Sequence, residues 1–419
     1  MQEPKPTKQE KEEGEEDAPE LKQSRRKMRR RGSCAWLRGQ RVQALVAHKR
    51  RLVEVPYTAT LSHTVNVLVA NNIVAVPVAA PPGRWIGAGG SMILESDRAT
   101  GAVRKQYIGM VTMLDVLVHV AEVVEGGSAS PKEQDLEKKM SVLVCEVIGH
   151  SPEGLSLWTL HHNTSILDCM ETFSKGVHRA LVPLESHTEN VIATELTEAS
   201  PGYRMLTQMD VLAFLAEHAN ELKDVISSSV HDLGAVNDNV FAVTKNMKVI
   251  EAIKSMRLVS DLQNDLQIAC LWVPHQLLKN AIRMADFLGG AALTCEILQG
   301  KGKRLVDTFS ATDLRGCSVA ELQTWLPKNV LQFKQKVSSP VTPRKLVTCY
   351  HETSLGEVID EAVQARVHRV WVVDQQGMLK GIVSLTDMLR VIREAVLDAD
   401  RELQRVVSPN VSDRVAIRS

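Results

Sequence analysis

The sequence predicts an α/β protein made of four β-α-β-β-α repeats, and three observations carry that expectation. First, Val367-His368-Arg369 near the C-terminus leads into the continuous apolar run Val370 to Val373, which is how a strand buried on both faces reads. A turn at Gln375-Gln376-Gly377 follows, then a second strand at Leu379 to Val383 and a helix whose Leu385, Leu389, Ile392 and Val396 recur at helical spacing. A short strand at Leu346 to Tyr350 and a helix from Ser354 to Ala365 precede it and complete the unit. Second, the tail of this unit, an apolar strand running into Ser or Thr, two residues, Asp and an apolar helix, recurs at Thr112-Asp115, Thr207-Asp210, Ser310-Asp313 and Ser384-Asp387. Third, a unit of about 50 residues cannot close a core alone, so it must pack against its own copies.

Taken from the N-terminus, residues 1–35 read as a disordered charged tail. Apolar residues are few, Glu10 to Glu20 is acidic and Arg25 to Arg31 basic, and such a stretch buries too little to order itself. The basic run reads either as a nuclear import signal or as a solvated segment answering the acidic one. Trp36 to Arg51 reads as an amphipathic helix with Leu37, Val42, Leu45 and Val46 inward, opening repeat one, 36–125. The glycine-rich stretch Pro81 to Ser91 lacks the Gly-Lys-Ser/Thr ending of a phosphate loop and reads as a hairpin insertion. A linker, 126–150, with a helix at Leu136 to Val147, leads to repeat two, 151–225. The polar stretch 226–239 with Gly234 reads as the boundary between two halves. Repeat three, 240–326, is the least regular: its head spans Val249 to Pro274, ending in the apolar Cys270 to Pro274. Leu277 to Gly300 then reads as an insertion with a helical run. Repeat four takes 340–398, and 399–419 reads as a fraying tail.

Composition excludes several function classes. Lys plus Arg and Asp plus Glu are equal at 50 each, so no global field favours nucleic acid or an anionic membrane as partner. Seven cysteines are scattered without a Cys-x-x-Cys, as expected for small buried hydrophobes in a reducing compartment rather than disulfides or zinc ligands. No apolar run approaches a membrane span of roughly 20 residues, and acidic and polar residues follow Met1 in place of a signal core, so a cytoplasmic or nuclear protein is expected.

The residues resemble a known family. Four β-α-β-β-α units, a Gly-x-Val-Ser-like strand running into x-x-Asp, and a His-Arg pair before the central strand look like cystathionine-β-synthase (CBS) repeats. More narrowly, Arg51 to Leu61, Trp85 to Ser91 and Phe309 to Leu314 resemble the plant form of the γ regulatory subunit of AMP-activated and sucrose-non-fermenting-related protein kinases. The resemblance covers about residues 50–398, and Arg204 and Asp307 stand where the family's strand carries Gly. It implies two tandem pairs of repeats (Bateman modules) set side by side in a disc. It also implies a non-catalytic regulatory subunit that partners kinase catalytic (α) and scaffold (β) subunits. No cofactor is required; an adenine nucleotide, AMP, ADP or ATP, would be the regulatory ligand in clefts between paired repeats. The alternative is a CBS-fold scaffold of the kinase complex that has lost nucleotide response.

Locally, Ser/Thr-x-x-Asp is a capping box, and Ser165-Asp168 and Ser354-Glu357 show the same spacing with capping alone assigned. Four instances follow an inner strand, where a helix N-terminus offers N–H donors to a phosphate. By the resemblance, Asp115, Asp210, Asp313 and Asp387 would hold a ribose, with Thr112, Thr207, Ser310 and Ser384 near sugar or phosphate. His178-Arg179 and His368-Arg369 precede the inner strands of repeats two and four, while Asn72-Ile73 is read at that place in repeat one. Arg offers a fixed fork for phosphate oxygens; the pairs read either as phosphate contacts or as structural ion pairs. No Walker loop, kinase loops, Gly-x-Ser-x-Gly or metal-spaced His/Cys set is present, so no catalytic or metal residues are expected.

Overall fold

The structure, a computed structural model, describes residues 19–80, 107–123, 133–150, 154, 157–184, 203–238, 240, 242–255, 294–299, 304–310, 313, 317, 319–337 and 346–407. The chain enters through α1 (Pro19–Gly39) and α2 (Val42–Val46). Repeat one is β1 (Val55–Pro56), α3 (Leu61–Ala70), β2 (Ala75–Ala79), β3 (Tyr107–Thr112) and α4 (Met113–Val123), followed by α5 (Glu133–Met140). Repeat two is β4 (Trp158–Thr159), α6 (Ile166–Ser174), β5 (Arg179–Pro183), β6 (Tyr203–Thr207) and α7 (Gln208–Glu217), followed by α8 (Lys223–Ile226). Repeat three is β7 (Ala242–Thr244), α9 (249–255), β8 (Thr294–Gln299) and β9 (Arg304–Ser310), followed by α10 (Val319–Trp325) and α11 (Val330–Val337). Repeat four is β10 (Thr348–Cys349), α12 (Leu355–Ala365), β11 (Arg369–Val373), β12 (Leu379–Ser384) and α13 (Leu385–Val407).

Each repeat builds one three-stranded sheet, its short first strand parallel to the middle strand and its third antiparallel to it. The middle strands β2 and β11 are buried at every residue, which is why they read as unbroken apolar runs. The helices between them follow from local signals. Ser354 caps α12 by accepting from the Glu357 amide at 3.3 Å, Leu355, Val358, Ile359 and Ala362 fill the buried face, and Arg366 ends the helix in the left-handed region at φ 52°. Gly176 and Asn72 stand three residues before their middle strands, as Arg366 does, and also have positive φ, 88° and 51°.

The repeats share cores across the molecule. One apolar cluster joins the helices of repeats two and four with Cys34, Leu37, Val42 and Val46 from the N-terminal segment; another joins repeats one and three. Two smaller seams join sheets: Ala79, Tyr107 and Leu181 between repeats one and two, and Leu305, Trp371, Val373 and Ile382 between three and four. Each repeat therefore meets two neighbours, in the cyclic order one, two, four, three.

Short segments are exchanged within each pair. Arg41, ahead of repeat one, bridges Ser165 of repeat two, and Ser229, ahead of repeat three, bridges Ser354 of repeat four. Asn237 adds to the edge of β12 through two hydrogen bonds with Ile382, of 2.8 and 2.9 Å. Gly381 makes this approach possible: a Cβ there would lie 2.7 Å from Val236 Cγ1 and 2.9 Å from the Asn237 carbonyl.

Four expectations change. From Pro19 the supposed tail is helical, because α1 docks on the body: Arg30 donates to the Asp224 carbonyl at 3.0 Å, the Ser33 hydroxyl donates to the Glu221 carbonyl, and Arg38 pairs with Asp400 at 2.9 Å. Residues 1–18 and the Pro81 to Ser91 stretch lie outside the described residues. The boundary stretch 226–239 is no free linker, since Val230 and Ala235 are fully buried against repeat four. In repeat three Cys270 to Pro274 lies outside the described residues, and the middle place between β7 and β9 belongs to β8, inside the supposed insertion. At the C-terminus α13 continues to Val407, well past Asp398, with Ala399 and Asp400 buried.

Candidate functional site: a basic cavity where three repeats meet

Strand register decides which residues share a site. The first residue of each middle strand lies opposite the Ser or Thr of the Ser/Thr-x-x-Asp motif: Ala75 opposite Thr112, Arg179 opposite Thr207, Thr294 opposite Ser310, and Arg369 opposite Ser384. The His-Arg pairs of repeats two and four thus stand beside Thr207 and Ser384. By the same register the repeat-one counterpart of His-Arg is Val74-Ala75, two residues beyond Asn72-Ile73.

The aspartates first of all cap helices. Asp115 Oδ2 accepts from the Thr112 amide and hydroxyl at 2.7 and 2.6 Å, Asp210 Oδ2 from those of Thr207 at 2.7 and 2.7 Å, and Asp387 Oδ2 from those of Ser384 at 3.1 and 2.5 Å. Their surroundings then diverge. Asp115 is fully buried (0% exposed), with Gly154 packed over it. Asp210 is paired with Lys49 from the segment ahead of β1. Asp387 has Arg390 at 3.6 Å. Asp313 is buried with Lys334, whose Nζ lies 2.9 Å from it and 3.6 Å from Asp307. Burial pushes the Asp307 carboxyl above the usual carboxylate range, and Lys334 pulls the other way. The Ser310 side chain lies outside the described residues.

Six of the twelve candidate residues come together in one cavity of about 290 Å³: His178, Arg179, Thr207, His368, Arg369 and Ser384. Repeat one and its leading segment supply the remaining wall, with Lys49, Arg50, Arg51 and Asn72 among its polar groups. Leu52, Val53, Ile73, Met205 and Met209 give it apolar surface, and among the described residues no carboxylate lines it. Arg369 is buried, at 7% exposed, and so sits where charge is poorly screened. Gln208 ties the two halves of the cavity together, donating to the Phe173 carbonyl at 3.0 Å and the Thr386 hydroxyl at 2.9 Å. Asp210 and Asp387 stand one helical turn behind the lining residues Thr207 and Ser384. Thr112, Asp115 and Asp313 do not line this cavity.

Sequence reasoning missed Lys49, Arg50 and Lys334 as site groups. The first two sit in the basic run His48 to Arg51, where the only signal was charge just ahead of a strand; nothing local marks Lys334.

The CBS domain family model matches residues 339–394, which is repeat four. The SNF1-related protein kinase regulatory subunit gamma-like PV42a of Arabidopsis thaliana is 52% identical over 356 residues, covering 84% of this chain and 94% of that protein. The chain belongs to this SNF1-related kinase gamma-like family. A second Arabidopsis gamma-like protein, PV42b, is 46% identical over 87% of this chain and 97% of its own length. The 5'-AMP-activated protein kinase subunit gamma of Kluyveromyces lactis is 21% identical over 82% of this chain and 85% of its own. Among solved structures, an archaeal protein from Methanocaldococcus jannaschii superposes with a TM-score of 0.51 at 16% identity, covering 84% of this chain and 99% of that one, and so shares the fold. The gamma-like relatives are named regulatory subunits.

Proposed function

We propose that this gamma-like chain is the non-catalytic regulatory subunit of a plant energy-sensing Ser/Thr protein kinase complex, docking with catalytic and scaffold subunits in the cytoplasm or nucleus. We propose further that it binds an adenine nucleotide in the basic cavity. The observation that carries the ligand reading is the convergence of both His-Arg pairs with Thr207 and Ser384 in one cavity. The two guanidiniums can fork onto phosphate oxygens while the starts of α7 and α13 add partial positive charge. The apolar wall around Met205 and Met209 suits the flat face of a base. A ligand there would touch repeats one, two and four at once, and would alter the kinase only by binding one state of the complex more tightly than another.

Calorimetry with AMP, ADP, ATP and S-adenosylmethionine tests the reading. A saturable heat for a nucleotide is expected, lost in the double variant Arg179→Gln/Arg369→Gln, with weaker binding at higher salt. A second reading, a scaffold of the complex without nucleotide response, is favoured by the sealed carboxylates Asp115 and Asp313. Intact capture of kinase subunits with no saturable heat for any of these ligands would decide for the scaffold.

A further inference from the structure

We propose that Ser33 is a phosphorylation site for a Ser/Thr kinase with an acidic peptide cleft, and that the phosphate holds α1 off the body of the molecule. The proposal does not depend on any ligand in the cavity. Its first support is the sequence Arg29-Arg30-Arg31-Gly32-Ser33. Guanidiniums two, three and four residues before a Ser are what a cleft lined with carboxylates recognises, and no acidic residue from Arg25 to Gln40 opposes that charge.

The second support is where docking puts the same residues. Ser33 is 5% exposed, and its hydroxyl donates to the Glu221 carbonyl, with the Arg29 carbonyl at 3.3 Å. Arg30 donates to the Asp224 carbonyl at 3.0 Å, and Arg29 lies 3.8 Å from the Asp224 carboxylate. A phosphate on Ser33 has no room there and would turn its oxygens toward the Glu221 carbonyl, itself an acceptor. Off the body it has partners. Arg29 and Arg30 stand four and three positions earlier, on the same helix face, and can turn from Asp224 to the phosphate. The modification therefore replaces contacts that hold α1 down by contacts within α1. Gly32 sets where the helix opens to a kinase: a Cβ there would meet nothing within 4 Å, so packing does not call for glycine, and glycine weakens a helix relative to alanine. In the transfer Ser33 Oγ attacks the γ-phosphorus of ATP. The Oγ–P bond forms as the bond to the bridging oxygen breaks, ADP leaves with that electron pair, and the hydroxyl proton passes to the kinase's base.

The test incubates the full chain with MgATP and a purified kinase that selects Arg-Arg-x-Ser, and maps the phosphate by mass spectrometry. Phosphate on Ser33 is expected. Its initial rate should be about threefold higher in Arg38→Gln, which loses the 2.9 Å ion pair to Asp400, and at least about twofold lower in Gly32→Ala. Trp36 stacks on Phe214 with centroids 5.6 Å apart, so its release should give a red shift of tryptophan emission that Trp36→Phe lacks. No phosphate on Ser33 in either the parent or Arg38→Gln overturns the site. Equal rates in the parent, Arg38→Gln and Gly32→Ala overturn gating by docking. Stoichiometric phosphate with unchanged emission overturns the release of α1.

Discussion

Lys334 is the side chain whose removal should be felt most. Its side chain is only 5% exposed and its ammonium lies between Asp307 and Asp313, so replacing it takes from two carboxylates the cation they share. Lys334→Met is expected to cost about 3–5 kcal/mol in urea unfolding. Lys334→Met combined with Asp313→Leu should recover part of that, because the orphaned charge goes with its partner. The spacing Ser/Thr-x-x-Asp was legible in the sequence because capping is local, and so were the two His-Arg pairs, which repeat at one strand position. The identity of each Asp's counter-ion was not. Lys49 lies 161 residues from Asp210 and Lys334 21 residues from Asp313, and no periodicity links them.

At the level of elements, the seam between α4 and the segment after α5 contains a titratable contact. His119 stands edge-to-face with His150 at 5.6 Å between ring centroids. Burial first, and then the neighbouring His150, hold its pKa below the usual imidazole range; a hydrogen bond with the Lys139 backbone opposes them, the Lys139 charge adds to the depression, and Glu146 opposes it. The unfolded chain therefore takes up a proton that the folded chain resists, so stability falls as pH drops below about 6.5 toward the folded-state value. Denaturation midpoints across that window should fall less steeply in His119→Gln than in the parent. The helices and strands of repeats one, two and four were legible from their periodicity. The middle strand of repeat three was not: Thr294-Cys295-Glu296-Ile297-Leu298-Gln299 is mixed in polarity, and the more apolar Cys270-Leu271-Trp272-Val273 reads as the better strand. The start of α1 was misread for a different reason. Its composition was weighed as an isolated segment, whereas docking supplies Asp224 and Asp400 to its arginines and a core to Cys34 and Leu37.

For the whole molecule, the boundary between the halves matters more than its polar composition suggests. Residues 228–237 pack on and pair with repeat four, so a split after Ile226 leaves that repeat complete and a split after Asn239 does not. Co-expressed halves divided after Ile226 are expected to reassociate and melt as one transition; halves divided after Asn239 should bind a hydrophobic dye and precipitate. Neither half should behave as a stable monomer, because each large apolar cluster draws helices from both. Similar melting and dye binding for the two divisions would contradict this.

The exchanged segments also order events during synthesis. Residues 40–46 hydrogen-bond with repeat two, whose last strand ends at Thr207, and residues 228–237 with repeat four, which runs to α13. As the chain leaves the ribosome, each of these stretches must wait for its partner to emerge, so native closure of either pair comes after its second member is made. A nascent chain stalled before Thr207 would carry Val42 and Val46 uncovered, a surface suited to chaperones.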